Sequence, residues 1–233
     1  MAKAVVFDLD GTLIDSLPDI AFAFNQLLLE NGRRQLPPEE VRVMVGDGAA
    51  TLVRRGFEAT GGVEADRLAA LSERFVAIYE PISAERTRPW PGVVAALDAL
   101  RAAGWRLAVC TNKPGGPTRE ILTSLGLAGY FGAVLGGDAV PFRKPDPRHV
   151  LATLEAAGAA AADAVFVGDS PNDINAAKAA GVPVIAVSFG YTRIAPAELG
   201  ADRLIDHFDE LVAAVEELSE AAKRDCQAQT ARL

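Results

Sequence analysis

Six short apolar runs, spaced along the chain between amphipathic segments, place the strongest constraint on how this sequence can fold. They cover residues 4–9, 106–111, 133–135, 164–167, 183–187 and, more weakly, 203–205. Most lack the alternation of apolar and polar residues that is typical of a half-exposed strand, so we expect both faces of each strand to be covered. Helix-like stretches such as GVVAALDALRAAG separate them. The pattern predicts an α/β fold with right-handed βαβ units and a doubly wound, Rossmann-like parallel sheet.

One segment, residues 17–86, departs from this pattern because it contains helix-like stretches and no convincing strand. We interpret it as an inserted α-helical domain, called the cap segment below, with hinges near residues 16–18 and 87–89. The predicted domains are a Rossmann-like core of residues 1–16 and 87–225, the cap segment, and a polar C-terminal tail of residues 226–233. We expect the chain to fray after Glu220. The alanine-rich stretch EAAGAAAADA is interpreted as a helix end followed by a short loop.

Composition excludes several classes of function. The net charge of −8 argues against nonspecific binding to nucleic acid, which requires a basic surface. The two cysteines, Cys110 and Cys226, show neither metal-site spacing nor a disulfide framework, so we expect a reducing, cytoplasmic location. The N-terminus leads directly into a strand and no apolar run approaches membrane-spanning length, so we expect no membrane association. We interpret His149 and His207 as helix or surface residues rather than metal ligands.

Polar residues follow four of the predicted strands, at the edge where a parallel sheet binds ligands. They are Asp8 and Asp10 after the first run, Thr111, Asn112 and Lys113 after the second, Lys144 beyond the third, and Asp169 and Asp173 after the fourth. Each has a structural explanation when taken alone, as a turn residue, a helix cap, a solvated surface lysine or a first-turn helix charge. Their joint placement after successive strands favours a functional site.

The pair of aspartates at the first strand end points to a metal ion. Asp8 and Asp10 are two residues apart, so they start on one face of an extended strand, although the turn at Gly11 could rotate Asp10. Two neighbouring like charges are unfavourable unless a cation lies between them. Together with Asp169 they offer hard oxygen ligands that suit Mg²⁺. We therefore predict a magnesium site formed by these three aspartates.

The remaining residues suggest phosphoryl transfer at that metal. Lys144 and the Thr111 hydroxyl could hold a phosphate dianion, with backbone amides near Asn112 as further donors. Asp8 could then attack phosphorus and form an aspartyl-phosphate. Asp10 could donate a proton to the leaving alkoxide and later activate a water molecule.

The motifs resemble those of the haloacid dehalogenase-like superfamily. DLDGTLID is similar to its first motif, VCTNK to the second, KPDP to the third and VGDSPNDINAA to the fourth. The resemblance implies Asp8 as nucleophile, Asp10 as general acid/base, Asp169 as metal ligand with Asp173 as its partner in the second shell, and a C1-type helical cap. Dehalogenases of this superfamily lack the second aspartate of the first motif. Asp10 therefore favours a phosphatase, while mutases similar to β-phosphoglucomutase stay compatible with the motif.

Two further segments are similar to segments of phosphoglycolate phosphatases: VGDGAATLVRRGF in the cap segment and VSFGYTR later in the chain. This resemblance implies that Gly46, Asp47 and Gly48 close over the site and contact a substrate carboxylate. The alternative is a simple helix–turn–helix junction, with Arg54 or Arg55 on an exposed helix face.

The resulting hypothesis is a Mg²⁺-dependent phosphatase of a small phosphate ester, with 2-phosphoglycolate as the expected substrate. A sugar phosphate, a nucleoside monophosphate or pyrophosphate is the alternative substrate, since the core residues contact only the transferred group. A phosphate-responsive binding module is the alternative from another class. Either a monomer or a homodimer is compatible with the sequence.

Overall fold

The computed structural model of the chain describes the backbone of residues 2–230, and the side chains of this range except those of residues 223 and 225–230. The side chains of the expected polar tail, residues 226–233, therefore lie outside the described residues. The last helix continues to Thr230, beyond Glu220, where we expected regular structure to end. Among the described residues, no helix is both long enough and apolar enough to cross a bilayer.

A six-stranded parallel sheet forms the centre of the molecule. Its strands, in chain order, are β1 (Ala2–Phe7), β4 (Arg106–Cys110), β5 (Ala133–Leu135), β6 (Ala159–Gly168), β7 (Val184–Val187) and β8 (Arg203–Ile205). Two further strands, β2 (Ile14–Asp15) and β3 (Arg88–Pro89), lie outside this sheet. The sheet has the order β5-β4-β1-β6-β7-β8, and every neighbouring pair is parallel. The chain switches direction about β1, so a crevice opens at the carboxyl ends of β1, β4 and β6. The predicted fold class is confirmed.

Helices cover both faces of the sheet. The helices are α1 (Leu17–Glu30), α2 (Pro38–Arg42), α3 (Ala49–Ala59), α4 (Leu68–Tyr79), α5 (Val93–Ala102), α6 (Gly115–Ser124), α7 (Pro147–Ala157), α8 (Pro171–Ala179) and α9 (Leu211–Thr230). Val5 and Phe7 of β1 pack on the face covered by α5, α6 and α9, whereas Ala4 and Val6 pack on the face covered by α7 and α8. Because successive side chains of a strand point to opposite faces, a strand covered on both sides is apolar throughout.

Helices α1 to α4 lie within the cap segment and share a hydrophobic core of their own. The buried residues of α1 recur at helical spacing, as at Ile20, Phe24 and Leu27, so one stripe of the helix faces this core. Phe57 of α3 and Phe75 of α4 pack into the same cluster. All of residues 17–86 are described, and they contain no strand.

The segment that leads from the sheet to the cap segment and the segment that returns lie side by side. β2 and β3 form a two-stranded antiparallel ribbon in which Ile14 pairs with Pro89 and Asp15 with Arg88. The departing chain is held by Tyr191, whose hydroxyl oxygen accepts hydrogen bonds from the backbone N–H groups of Ser16 (2.8 Å) and Leu17 (2.9 Å). The ribbon and this tyrosine lie at the first of the two expected hinges.

The returning chain is held by a buried carboxylate of α1. Asp19 is fully buried, and it accepts hydrogen bonds from the backbone N–H groups of Arg86 (2.9 Å) and Thr87 (2.8 Å). The Thr87 hydroxyl also donates to Asp19, at 2.8 Å. Both crossings between the sheet and the cap segment are therefore fixed by buried side chains.

The alanine-rich stretch differs from our expectation. Helix α7 ends at Ala157, Gly158 takes a left-handed conformation at φ 66°, and β6 begins at once with Ala159. Ala159 pairs with Ala2 of β1, so the stretch extends the sheet and does not form a loop. The interpretation as a helix end was right and that as a loop was wrong. Small alanine side chains carry no signal strong enough to reveal the strand.

Candidate active site

Asp8 lies at the point where β1 ends. Its backbone N–H donates to the carbonyl of Val167 at 2.9 Å, which continues the pairing of β1 with β6, and only 7% of the residue is exposed. The chain then turns at Gly11, which has a φ of +83°. A Cβ at Gly11 would also lie 2.5 Å from Oδ2 of Asp169, so the close approach of this turn to the next strand end requires glycine.

Lys144 joins two of the predicted acidic residues. Its Nζ lies 2.8 Å from Oδ1 of Asp8 and 2.6 Å from Oδ1 of Asp173, and 1% of the lysine side chain is exposed. Oδ2 of Asp173 accepts hydrogen bonds from the backbone N–H (3.0 Å) and the hydroxyl (2.6 Å) of Ser170 at the start of α8. Lys144 is therefore not a solvated surface lysine, and Asp173 both caps a helix and fixes this cation.

Asp169 is held rigidly beside Asp8. Its Oδ1 accepts a hydrogen bond from the Thr12 hydroxyl at 2.9 Å, and its Oδ2 accepts one from the backbone N–H of Tyr191 at 2.6 Å. A Cβ at Gly190 would collide with the Asp169 side chain. The loops after β1 and β7 therefore fix the direction of this carboxylate.

The acidic cluster of Asp8, Asp169 and Asp173 has the chemistry of a metal site. One carboxylate oxygen from each of the three lies within 4.8 Å of the others, and all three residues are buried. Burial raises the pKa of Asp8 to about 6, with Asp173 adding to the effect and Lys144 opposing it. Burial, Asp173 and Asp8 also raise the pKa of Asp169. Three buried like charges with one lysine between two of them fit a hard divalent cation such as Mg²⁺.

The structure does not bring the carboxylate of Asp10 into this cluster. Nζ of Lys113 donates to Oδ1 (3.0 Å) and Oδ2 (2.9 Å) of Asp10, and the Ser16 hydroxyl donates to Oδ1 at 2.6 Å. Our expectation that the side chains of Asp8 and Asp10 share one cation is thus not met in this arrangement. The Asp10 carboxylate instead forms an ion pair with Lys113.

Thr111 and Asn112 follow β4 and connect the loops around the site. The Thr111 backbone N–H donates to the carbonyl of Leu135 at 3.1 Å, and its hydroxyl accepts from the Lys113 N–H at 3.2 Å. The Asn112 side-chain amide donates to the carbonyls of Lys144 (3.0 Å) and Gly46 (3.2 Å). Asn112 therefore ties the strand end both to the lysine loop and to the cap segment.

The loop of Gly46, Asp47 and Gly48 lies against the sheet. Asp47 accepts a hydrogen bond from the side chain of Asn172 at 2.5 Å and forms ion pairs with Arg55 and, at 3.3 Å, Arg193. Burial acts to raise the pKa of Asp47, but Asn172 and Arg55 together lower it overall. The loop is therefore a docked contact between the cap segment and the sheet, and not merely a junction between helices.

The two arginines of α3 form ion pairs within the cap segment. Arg54 is exposed and pairs with Glu58 at 3.0 Å, as expected for a residue on an outer helix face. Arg55 is largely buried, but its guanidinium is engaged by Asp47 and by the carbonyl of Met44 at 3.2 Å.

These residues surround a cleft between the sheet and the cap segment. Its volume is about 670 Å³, including the part that opens to solvent. The sheet side contributes Asp8, Asp10, Thr111, Asn112 and Lys113. The cap segment contributes mostly apolar side chains: Ile20, Val45, Ala49, Leu52, Phe75 and Val76, together with Tyr79. Such a cleft can hold a small molecule against a nucleophilic carboxylate with a second carboxyl group nearby.

The sequence places Lys113 at this sheet edge, two residues beyond Thr111, but suggested no role for it. Sequence reasoning missed Tyr79. The hydroxyl of Tyr79 lies 2.9 Å from Nζ of Lys113, and burial raises the pKa of the tyrosine to about 12. Tyr79 is the last residue of α4, and no local pattern relates it to a strand end more than 30 residues later.

Comparison with known proteins agrees with this geometry. A sequence model of the family described as haloacid dehalogenase-like hydrolase matches residues 5–187. The chain is 47% identical to the phosphoglycolate phosphatase of Rhodospirillum rubrum over 91% of its own length and 90% of that protein. It is 44% identical to that of Caulobacter vibrioides, with 88% and 86% covered.

Among solved structures, a crystal structure described as a predicted phosphoglycolate phosphatase from Haemophilus somnus superposes with a TM-score of 0.86 at 33% identity. That comparison covers 91% of this chain and 97% of the other. Family match, sequence likeness and shape all extend over most of the chain. The protein therefore belongs to the haloacid dehalogenase-like hydrolase family.

Proposed function

We propose that the protein is a Mg²⁺-dependent phosphatase that hydrolyses 2-phosphoglycolate to glycolate and phosphate through an aspartyl-phosphate on Asp8. One observation carries the proposal: Asp8 and Asp10 line the same cleft, and each pairs with a different lysine whose side chain is buried. The site therefore offers two carboxyl groups in different surroundings, which is what a nucleophile and a separate general acid require.

The chemistry follows from this arrangement. An oxygen of Asp8 attacks phosphorus, a bond forms between them, and the bond between phosphorus and the ester oxygen breaks. Asp10, in its protonated form, donates a proton to the departing alkoxide. Asp10 then takes a proton from the water molecule that attacks the aspartyl-phosphate, which releases phosphate and restores Asp8.

The residues around Asp8 are proposed to bind the negatively charged phosphoryl group during its transfer. Lys144, fixed by Asp173, and the polar groups of Thr111 and Asn112 are the proposed phosphate ligands. Mg²⁺ held by Asp8 and Asp169 would neutralise the negative charge that the phosphoryl group brings to this buried site. The carboxylate of Asp10, which we first expected among the metal ligands, is proposed to act as acid and base only.

Two features support 2-phosphoglycolate as substrate. The relatives that are 41–47% identical are named phosphoglycolate phosphatases. The wall formed by the cap segment is mainly apolar, and its described residues include no cluster of hydrogen-bonding side chains for a sugar or a base. Gly46, Asp47 and Gly48 hold this wall against the sheet and are proposed to act through its position. A sugar phosphate, a nucleoside monophosphate or pyrophosphate is the alternative, and so is a phosphomutase reaction.

A phosphate-release panel tests the proposal. The purified protein should release phosphate from 2-phosphoglycolate with Mg²⁺ present and lose this activity with a chelator. It should prefer that compound in kcat/KM over glucose 1-phosphate, a nucleoside monophosphate and pyrophosphate. Asp8→Asn should reduce turnover by several orders of magnitude. A stable phosphoprotein with negligible turnover would instead support the phosphate-responsive binding module.

The proposed setting follows the same reasoning. We propose that the enzyme acts in the cytoplasm as a monomer or homodimer, without nucleic-acid or membrane partners. We further propose that residues 17–86 work as a cap that moves on hinges near residues 16–18 and 87–89, with residues 1–16 and 87–225 as the catalytic core. Closure would exclude water from the transferring phosphoryl group.

A further inference from the structure

Lys113 has a place in the cleft that the phosphoryl-transfer chemistry does not explain. In the part of the chain that the structure describes, it is the only lysine or arginine among the residues that line the cleft. Its side chain is 7% exposed. Its Nζ lies 4.7 Å from the centre of the Tyr79 ring and 2.9 Å from the Tyr79 hydroxyl. Burial alone would lower the pKa of Lys113, but Asp10 and Tyr79 raise it, so the ammonium group stays charged.

The hydrogen bonds of Lys113 leave room for another anion. An ammonium group has three N–H donors, and Nζ contacts both oxygens of Asp10 and the Tyr79 hydroxyl. Two of the three N–H donors therefore bind the same carboxylate, that of Asp10. If one of these two donors binds a ligand instead, Asp10 still accepts a hydrogen bond from the other donor and one from the Ser16 hydroxyl.

Other cations near the cleft are committed elsewhere. Lys144 lies between Asp8 and Asp173. Arg42 donates to the carbonyl of Gly190 at 2.6 Å. The guanidinium of Arg55 is engaged by Asp47. Arg143 lies near Gly48, outside the cleft lining, and its Nε donates to the carbonyl of Gly137 at 2.6 Å. Among the described residues that line the cleft, Lys113 is therefore the cation available to a second negative group on the substrate.

The wall formed by the cap segment is apolar, so a substrate with a carboxylate needs Lys113 as a partner for that group. The side chains of Val45, Leu52 and Phe75 offer no hydrogen bonds, and a carboxylate buried against them without a partner is strongly unfavourable. Gly48 and Ala49, at the first turn of α3, line the same wall, and the positive end of the 11-residue helix favours an anion there. The charge of Lys113, the apolar wall and the start of α3 thus favour the same place for a bound carboxylate, between Lys113 and the cap segment.

We propose that Lys113, positioned by Tyr79, binds the carboxylate of the substrate and makes the enzyme selective for small phosphate esters that carry one. The proposal rests on the proposed phosphatase function and adds to it the residue that recognises the non-transferred end. Asp8, Lys144 and the metal act on the phosphate end, whereas Lys113 acts on the acid end.

Two substrates that differ only at that end test the proposal. 2-Phosphoglycolate and ethyl phosphate share the phosphate and the CH₂ group, and a carboxylate in one replaces a methyl group in the other. A charge-assisted hydrogen bond contributes enough for a preference of about 10- to 100-fold in kcat/KM. The wild type should show that preference, and Lys113→Met should lose most of it because the acidic substrate binds more weakly and its KM rises. Lys113→Arg, which keeps the charge, should retain part of it.

Controls separate this role from a structural one. Lys178→Met removes an exposed lysine of α8 and should leave the preference unchanged. Tyr79→Phe keeps Lys113 and removes one of its partners, so it should weaken the preference less than Lys113→Met does. If Lys113→Met does not fold, the wild-type preference and Tyr79→Phe still decide the question.

The outcomes distinguish failure of the proposed Lys113 role from failure of the proposed phosphatase function. Equal kcat/KM for both substrates in the wild type, or an equal loss on both in Lys113→Met, would overturn the role of Lys113 and leave the phosphatase function intact. Failure of the wild type to release phosphate from either compound would instead overturn the proposed function.

Discussion

At the scale of single residues, two lysines pair with two nearby aspartates for which we propose different roles. Lys144 is shared by Asp8 and Asp173, whereas Lys113 is bound to Asp10. A carboxylate next to a metal and a fixed cation stays ionised and can act as a nucleophile. A carboxyl group outside the acidic cluster can exchange a proton with the leaving group and with water, as we propose for Asp10.

Stability below neutral pH is expected to depend on His149, which is fully buried in α7. Burial, reinforced by the charge of Lys144, lowers the pKa of His149 from 6.5 to about 4. The unfolded chain therefore takes up a proton as pH falls below 6.5, while the folded chain does so only near pH 4, and stability is lost in that interval. The wild type should lose about 2 kcal/mol between pH 7.5 and 4.5 relative to His149→Leu.

Urea unfolding of both proteins at the two pH values measures this difference. The comparison cancels the contributions of the buried carboxylates, which both proteins share. A difference in unfolding free energy that does not change with pH would show that His149 is not held neutral by the fold.

Some residue positions in the site could be predicted from the sequence, and others could not. Asp8, Thr111 and Asp169 each follow an apolar strand, so their convergence at one sheet edge could be predicted. The position of the Asp10 carboxylate outside the acidic cluster depends on its contacts with the Ser16 hydroxyl and Nζ of Lys113. Lys113 is more than 100 residues later in the chain, so no local pattern predicts that contact.

At the scale of elements, strand positions could be predicted better than their connections. Strands β5 and β8 have the expected bounds because they are apolar runs flanked by polar or glycine residues. The ribbon of β2 and β3 escaped sequence analysis because each strand has two residues and they pair across more than 70 positions. Its anchors, Tyr191 and Asp19, are likewise distant in sequence from the backbone groups that they bind.

The anchor at the first crossing should be measurable with Tyr191→Phe. This change leaves the backbone N–H of Ser16 without its acceptor and leaves that of Leu17 with only the Asp15 carboxylate at 3.3 Å. It also removes the hydrogen bond that the hydroxyl donates to Asp15 at 2.5 Å. Buried donors without partners cost about 1–3 kcal/mol, so the unfolding free energy should fall by that amount.

Tyr130→Phe is the matched control, because its hydroxyl makes an exposed hydrogen bond to Asp98 at 2.9 Å. That variant should lose less than about 0.5 kcal/mol in urea unfolding. Equal losses in the two variants would contradict the anchoring role of Tyr191.

At the scale of the whole molecule, the cap segment is docked on the sheet through polar contacts beside the cleft. Arg42 of α2 reaches the carbonyls of Phe189 (2.7 Å) and Gly190 (2.6 Å) in the loop after β7. Asp47 reaches Asn172 and Arg193. These contacts are partly exposed, so they can break at modest cost while the two crossings stay anchored. The arrangement suits a cap that opens for substrate and closes over it.

Asp47→Asn tests this docking without reference to activity. It removes the charge that pairs with Arg55 and Arg193, which at a partly exposed site contributes about 1 kcal/mol. Backbone amides of residues 43–48 should therefore exchange with solvent about fivefold faster. Glu40→Gln, which breaks an exposed ion pair with Arg34 inside the cap segment, should leave that exchange unchanged. Unchanged exchange in Asp47→Asn would show that the loop is held by its other contacts.

The covalent intermediate on Asp8 is the central claim, and acid quenching during turnover tests it most directly. Protein mixed with Mg²⁺ and excess 2-phosphoglycolate is quenched within milliseconds, digested, and searched by mass spectrometry for a phosphorylated peptide. We predict a phosphoryl group on Asp8 in the wild type and none on that position in Asp8→Asn. Rapid phosphate release with no phosphorylated aspartate at any quench time, or with the group on another residue, would contradict the account.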